Sequence, residues 1–259
     1  IYVSSDPEVV RVDGTGHVTG LKKGTATVTA YELVGGRKFQ ADPVTFTVTD
    51  QSTGTVTAVK VLAKDLTVKN PSDGGYSVSG DSVTIKAMGQ GLWATQTANN
   101  VIVSGENVNR GDGTFTAIVK MSGKTVNNWD EAGLFIYKDD DNYVAVERKH
   151  GTNSPKVHVV TEANGSANED QNTENPNAEA IWLKLEKSGN TFTGYCSADK
   201  ENWTKVGNSI TNDKIGNSFG VALVAGTGNS TKGTAFTFSD LEINGKAVAL
   251  TEDAATGGE

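Results

Sequence analysis

Apolar and polar residues alternate with a period of two through most of the chain. That is the period of a β-strand whose two faces meet different surroundings. The clearest case is Glu131–Lys149, EAGLFIYKDDDNYVAVERK. Leu134 and Ile136 alternate with Phe135 and Tyr137 on one limb; Val144 and Val146 alternate with Tyr143, Ala145 and Glu147 on the other. Asp139, Asp140, Asp141 and Asn142 supply the turn between them, so the stretch predicts a hairpin. Gly133, without a side chain, lets a neighbour come close. If Val144 and Val146 point into an interior, then Tyr143, Ala145 and Glu147 point out of it. Arg148 shares the inward parity and needs Glu186 or a backbone carbonyl as its partner.

Similar segments occur on both sides of this hairpin. Short strands are expected at Val9–Val12, Gly16–Gly20, Thr25–Tyr31 and Val44–Thr49, with Gly and Asp at the turns. Gln51–Thr55 reads as a linker, and Val56–Val68 alternates again. From Tyr76 onward YSVSG, DSVTIKA, NNVIVSG, GTFTAIVKM, PKVHVVTE, IWLKLEK, TFTGYCS, FGVALVAG and TAFTFSDLEIN follow. FGVALVAG is apolar without interruption, as suits a strand buried on both faces. Asn164–Glu179 has no apolar period and is expected as a long surface loop. Thr251–Glu259 reads as a solvated tail. About eleven to thirteen strands in the larger part give a two-sheet antiparallel sandwich or jelly roll. The predicted division is 1–55, 56–246 and 247–259.

Thirty glycines and five prolines in 259 residues, with much Thr and Val, agree with an all-β chain. A formal charge of −8 without a basic stripe argues against a nucleic-acid partner. There is no apolar stretch long enough for a membrane span. Cys196, alone, is expected as a small core residue, and its solitude says little about compartment.

Two resemblances rest on particular residues. SSDP at Ser4–Pro7, VDGTGHVTG at Val12–Gly20 and GTATVTA at Gly24–Ala30 resemble the bacterial immunoglobulin-like group 2 module. Such modules carry about two further strands before the SSDP corner, so the chain is expected to be a fragment of a longer protein. GLWATQTANNVIV (Gly91–Val103), the hairpin with its Asp-Asp-Asn-Tyr turn, Trp182–Gly207 and Phe219–Asn244 resemble, in order, the concanavalin-A/laminin-G-like lectin domain. That domain is appended to β-xylosidases and other bacterial glycoside hydrolases. The resemblance covers roughly Ala58–Lys246. It implies a partial Ig-like β-sandwich followed by a concanavalin-A-like jelly-roll sandwich. It further implies a non-catalytic carbohydrate-binding module of a secreted or cell-surface bacterial enzyme or adhesin, whose partners are a glycan and a neighbouring catalytic domain.

A glycosidase needs two carboxylates held facing each other about 5–10 Å apart. Here the acids crowd into the Asp139–Asp141 turn and the Asn164–Glu179 run, while Glu147 stands alone on its strand and Glu186 follows Lys184 on one face. His17, His150 and His158 are scattered without metal-site spacing and are expected at surfaces or strand ends. Asp139, Asp140 and Asp141 either hold a structural Ca²⁺ or form a plain solvated turn, with Asp112 and Asp240 as rival donors. Sugar rings stack on aromatic faces beside planar polar groups. The candidates for this are Trp93, Trp129, Tyr143, Glu147 and Arg148, with Asn99 and Asn100. Trp93 fits either a core or a ligand face; Trp182 and Trp203 fit strand patterns and are expected to pack. The alternatives are a structural spacer without a sugar site and a glycoside hydrolase of concanavalin-like fold.

Overall fold

The period-two segments form strands, and each strand finds an antiparallel neighbour. The computed structural model describes residues 1–49, 59–150, 155–174, 178–228 and 233–254. The expected linker Gln51–Thr55 lies outside the described residues. Contacts divide the chain into two units, Ile1–Ala58 and Val59–Glu259.

The first unit comprises β1 (Tyr2–Ser4), β2 (Val10–Val12), β3 (Val18–Gly20), β4 (Gly24–Val34), β5 (Arg37–Gln40) and β6 (Val44–Val48). β4 is paired by β1, β5 and β6, and β2 and β3 form a separate hairpin. Its buried core is Val9, Val10, Ala26 and Val28. Gly35 and Gly36, at φ 55° and 79°, turn β4 into β5. This is a left-handed dipeptide of the kind two-residue hairpins use.

The second unit begins with β7 (Lys60–Leu62), β8 (Leu66–Lys69), β9 (Tyr76–Ser79), β10 (Ser82–Lys86), β11 (Val101–Ser104) and β12 (Phe115–Ser122). The central hairpin is β13 (Glu131–Asp139) and β14 (Asn142–His150), followed by β15 (Pro155–Ala163) and β16 (Ser166–Glu174). Then come β17 (Ala180–Ser188), β18 (Thr191–Ser197), β19 (Thr204–Thr211), β20 (Gly220–Gly226), β21 (Ala235–Ile243), β22 (Lys246–Ala247) and β23 (Thr251–Asp253). One sheet has seven strands in the order β16-β15-β14-β13-β20-β11-β8. The other has eight, β19-β18-β17-β12-β21-β10-β9 with β22 beside β21. Every ladder is antiparallel, and the all-β sandwich follows from the alternation as expected.

The main core lies between these sheets. Leu134, Ile136, Val144, Val146, Val159 and Leu223 meet Val119, Leu183, Leu185, Phe192 and Phe238. A second core covers the other face of the seven-stranded sheet, where Leu92 and Ala98 pack with Phe135, Tyr137, Tyr143, Ala145, Val160 and Val224. The central strands are therefore buried on both faces, which is why β20 reads as uninterrupted apolar sequence.

Two expectations need correction. Half of Asn164–Glu179 is a strand, β16, which pairs with β15 through an Asn164-Gly165 turn at φ 52° and 72°. The strand lies at the sheet edge, so it needs no apolar face and leaves no hydrophobic period. The segment after Lys246 is also folded: Leu250 is buried, β23 pairs with β7, and the Thr251 hydroxyl donates to Gly80 O at 2.8 Å. Three residues are too few to display a period.

Candidate functional site

The outer face of the seven-stranded sheet carries a buried charge cluster at one end. Residues opposite each other in an antiparallel ladder point to the same side. Glu131 on β13 stands opposite Lys149 on β14, and Glu147 on β14 stands opposite His158 on β15. Glu169 arrives from β16, where it pairs with Val160. Lys149 Nζ is 3.5 Å from Glu131, 3.9 Å from Glu147 and 3.3 Å from Glu169. His158 Nδ1 contacts the other oxygen of Glu169. Glu131, Glu147, Lys149 and His158 are all buried.

Burial sets the electrostatics. It raises Glu131 to about 7, against the pull of Lys149, and also raises Glu147 well above the ordinary carboxylate range, with the Glu131 charge adding to the effect. Glu169 is lowered to about 2, first by its hydrogen bond to His158 and then, against burial, by the His158 and Lys149 charges. Burial opposes the charge of Lys149, but its three carboxylates outweigh it and raise its pKa. The cluster thus combines one firmly ionised carboxylate, one ammonium and two carboxyls that hold protons unusually well.

The segment Ala87–Asn100 crosses this face and walls the cluster into a pocket. Glycine permits the close approach: a Cβ on Gly226 would meet Gly91 Cα at 2.3 Å. Thr227 N donates to Gly89 O at 2.8 Å across the same junction. The Tyr143 hydroxyl donates to Leu92 O at 2.5 Å, and Glu162 accepts from Ala94 N at 2.8 Å. The pocket has a volume of about 390 Å³, within the range of small-ligand sites. Trp93, Trp129, Glu131, Lys149, Glu169 and Gln96 line it.

Each tryptophan is placed by local structure. Trp93 is half-buried, rests on the second core, and has Lys149 Nζ 4.4 Å from its ring centroid. Trp129 is 52% exposed and adopts φ 68°. A bulky side chain in the left-handed region costs on the order of 1–3 kcal/mol. Trp129 is held there by its N–H to His150 O at 2.8 Å and by Gly228 N to its own carbonyl at 3.1 Å. The neighbouring Asp130 is buried, and its carboxylate accepts from Val126 N, Asn127 N and the Thr234 hydroxyl.

Of the residues singled out from sequence, Trp93 and Trp129 line the pocket, and Glu147 lies in the cluster. Tyr143 points outward but is fully buried beneath Leu92. Asn99 donates to Met88 O at 2.7 Å, and buried Asn100 exchanges hydrogen bonds with Ser72, so both hold the covering segment. Arg148 points between the sheets, where Gly123 O and Ala178 O accept from it at 2.6 and 2.9 Å. It is a core residue, as its parity required. Asp139 accepts from Asp141 N and the Asn142 amide, and Asp140 from the Tyr137 hydroxyl. Among the described residues no three acidic, histidine or cysteine side chains are grouped to hold a metal ion. The Asp139 and Asp140 carboxylates accept hydrogen bonds within the turn.

Sequence reasoning missed Glu131, Lys149, His158 and Glu169. Glu147 and Lys149 share a parity that was readable, and Asn164-Gly165 is a hairpin signal that would have brought Glu169 to the sheet.

A family model described as "Protein of unknown function (DUF1349)" matches residues 71–246, which include the whole pocket. The chain belongs to this family. Residues 1–41, upstream of the DUF1349 region, match "Bacterial Ig-like domain (group 2)". No curated protein matches the chain. Among solved structures, a functionally unknown protein from Saccharomyces cerevisiae has a TM-score of 0.56 at 21% identity, covering 70% of this chain and 96% of that one. The GH43 BlXynB protein from Bacillus licheniformis has 0.60 at 16%, covering 88% of this chain and 51% of that one. Xylan β-1,4-xylosidase from Bacillus halodurans C-125 has 0.58 at 13%, with coverages of 88% and 51%. The DUF1349 chain therefore matches about half the length of each Bacillus enzyme. At these identities the likeness is one of fold.

Proposed function

We propose that the DUF1349 sandwich is a non-catalytic carbohydrate-binding module, and that the Trp93–Trp129 pocket is where it holds a sugar. The observation that carries this reading is a strained, exposed tryptophan beside a half-buried one, above a floor of carboxyl and ammonium groups. Aromatic faces take the C–H surface of a pyranose, and planar polar groups take its hydroxyls. A single pocket of this size gives modest affinity, because few groups engage against the cost of association. Such a module belongs with a larger secreted or surface carbohydrate-active protein, whose Ig-like segment acts as a spacer.

A glycan array followed by calorimetry tests the reading. Trp129→Ala should weaken binding about tenfold or more, each decade being about 1.4 kcal/mol. Its melting temperature should stay unchanged, because the ring is already half in water. Wild-type affinity in this variant defeats the proposal and leaves the spacer reading.

A second reading, hydrolysis, is favoured by one observation: Glu131 is raised to about 7 while Glu169 is lowered to about 2. Lys149 Nζ, within 3.5 Å of both, stands where a reacting bond would need to lie. Release of reducing sugar from xylan, abolished by Glu131→Gln, would establish hydrolysis instead.

A further inference from the structure

The three carboxyl groups around Lys149 are not equally placed to meet a ligand. Side-chain exposure is 3% for Glu147 and 6% for Glu131, but 30% for Glu169, which reaches the pocket from the edge strand β16. Gly91 lies over Glu131, and a Cβ at that position would collide with Glu131 Oε1. The acid that a ligand meets in the open is therefore Glu169.

Glu169 is held at two points from behind. Its Oε1 contacts His158 Nδ1, and its Oε2 lies 3.3 Å from Lys149 Nζ. With its pKa lowered to about 2, first by the His158 hydrogen bond, it is ionised at neutral pH and can only accept. An ionised carboxylate offers about four lone-pair sites, so each oxygen keeps one beyond the donor already on it. The pocket thus presents two acceptors side by side in a fixed orientation.

Lys149 has no such surplus. Its ammonium is shared among Glu131, Glu147 and Glu169 and already lies 4.4 Å from the Trp93 ring centroid. Among the described residues it is the only cation that lines the pocket, since Lys156, opposite it on β15, does not. An anionic ligand would bring its charge against Glu169 with no uncommitted ammonium to meet it. A cationic ligand would crowd Lys149, which already occupies the place between the carboxylates and the aromatic face.

Building on the sugar-binding reading of this pocket, we propose that Glu169 selects the ligand: an uncharged sugar ring presenting two adjacent hydroxyls, one to each carboxylate oxygen. The ring stacks on the tryptophans while the diol engages Glu169. Hydrogen bonds to an ionised acceptor are the stronger kind, so the pair carries much of the selectivity. A sugar without the diol leaves those acceptors unpaired and a uronic acid sets carboxylate against carboxylate, so both are rejected.

The test is calorimetry and ligand-observed NMR of the full chain at neutral pH. The probes are the methyl pyranosides of glucose, galactose and mannose, the 3-deoxy analogue of each and the uronide of each. Loss of O3 removes every adjacent pair of ring hydroxyls from a methyl pyranoside and leaves the ring intact. For whichever parent binds, its 3-deoxy analogue and its uronide should each bind about tenfold or more weakly. Glu169→Gln, shown to be folded by its urea transition, should lose the parent by a similar factor and prefer it less over the uronide. A 3-deoxy analogue or uronide that binds as well as its parent would overturn the proposal and leave the sugar reading standing, as would wild-type affinity and preference in folded Glu169→Gln. Binding of no parent pyranoside would overturn both.

Discussion

Removing the ammonium of Lys149 leaves Glu131, Glu147 and Glu169 facing one another with less water than three carboxylates need. Breaking a buried ion pair from one side typically costs about 3–5 kcal/mol. Lys149→Met should cost that much in urea melts at pH about 8 and less at pH about 5, where the raised carboxyls are neutral. A loss independent of pH would mean that only packing was removed. The two glutamates at the pocket wall have opposite effects. Glu169, folded at about 2, contributes stability that is present above its ordinary 4.5 and is lost as pH falls toward 2. Glu131, folded at about 7, binds its proton more tightly when folded, so stability falls as pH rises from 4.5 through 7. Glu131→Gln should flatten the neutral limb of the urea midpoint against pH, and Glu169→Gln the acid limb. Parity alone gave the inward side of Arg148 and the outward side of Glu147. It could not give the partners of Glu147, because strand neighbours depend on register, and register depends on turns.

That dependence is visible in the central hairpin. Asp139 pairs with Asn142 across the Asp140-Asp141 turn, but Tyr137 pairs with Tyr143, so one residue, Lys138, is unmatched. Without this bulge the ladder would set Glu131 opposite His150, and Glu131 would move to the face opposite Lys149. The bulge therefore assembles the cluster. Deleting Lys138 should leave a cooperative urea transition, because without the unmatched residue Tyr137 still meets Tyr143 and Glu131 still stands opposite Lys149. Loss of the cooperative transition in the deletion variant would show that the bulge itself, and not the register alone, is needed by the hairpin. The hairpin itself was legible from its alternation and acidic turn. The bulge was not, since no glycine marks it. β16 was hidden for a different reason, being an edge strand whose polar sequence resembles a loop.

At the scale of the whole molecule the two units differ in how much they bury. Among the described residues, the first rests on four buried apolar residues and the second on two extensive clusters. Residues 59–259 should fold alone and melt in one cooperative transition, while residues 1–58 alone should not. A sharp calorimetric melt of residues 1–58 would contradict this. A chelator should leave the melting temperature of the full chain unchanged, since a native-state ion would stabilise by mass action and its removal would show. A downward shift would show a bound cation, and its loss in Asp139→Ala would assign that cation to the turn. All-β architecture and its sandwich were readable because nearly every core strand announces its period. The pocket was half readable: both tryptophans were found, and its charged floor was not.

The floor of the pocket belongs to the sheet, whereas Trp129, Gln90 and Gln96 stand on segments that cross above it. Substitutions at Trp129, Gln90 and Gln96 leave the ladders, the bulge and the buried members of both clusters untouched. Lineages carrying this sandwich can therefore drift from one ligand to another by small neutral steps, never passing through a chain that cannot fold.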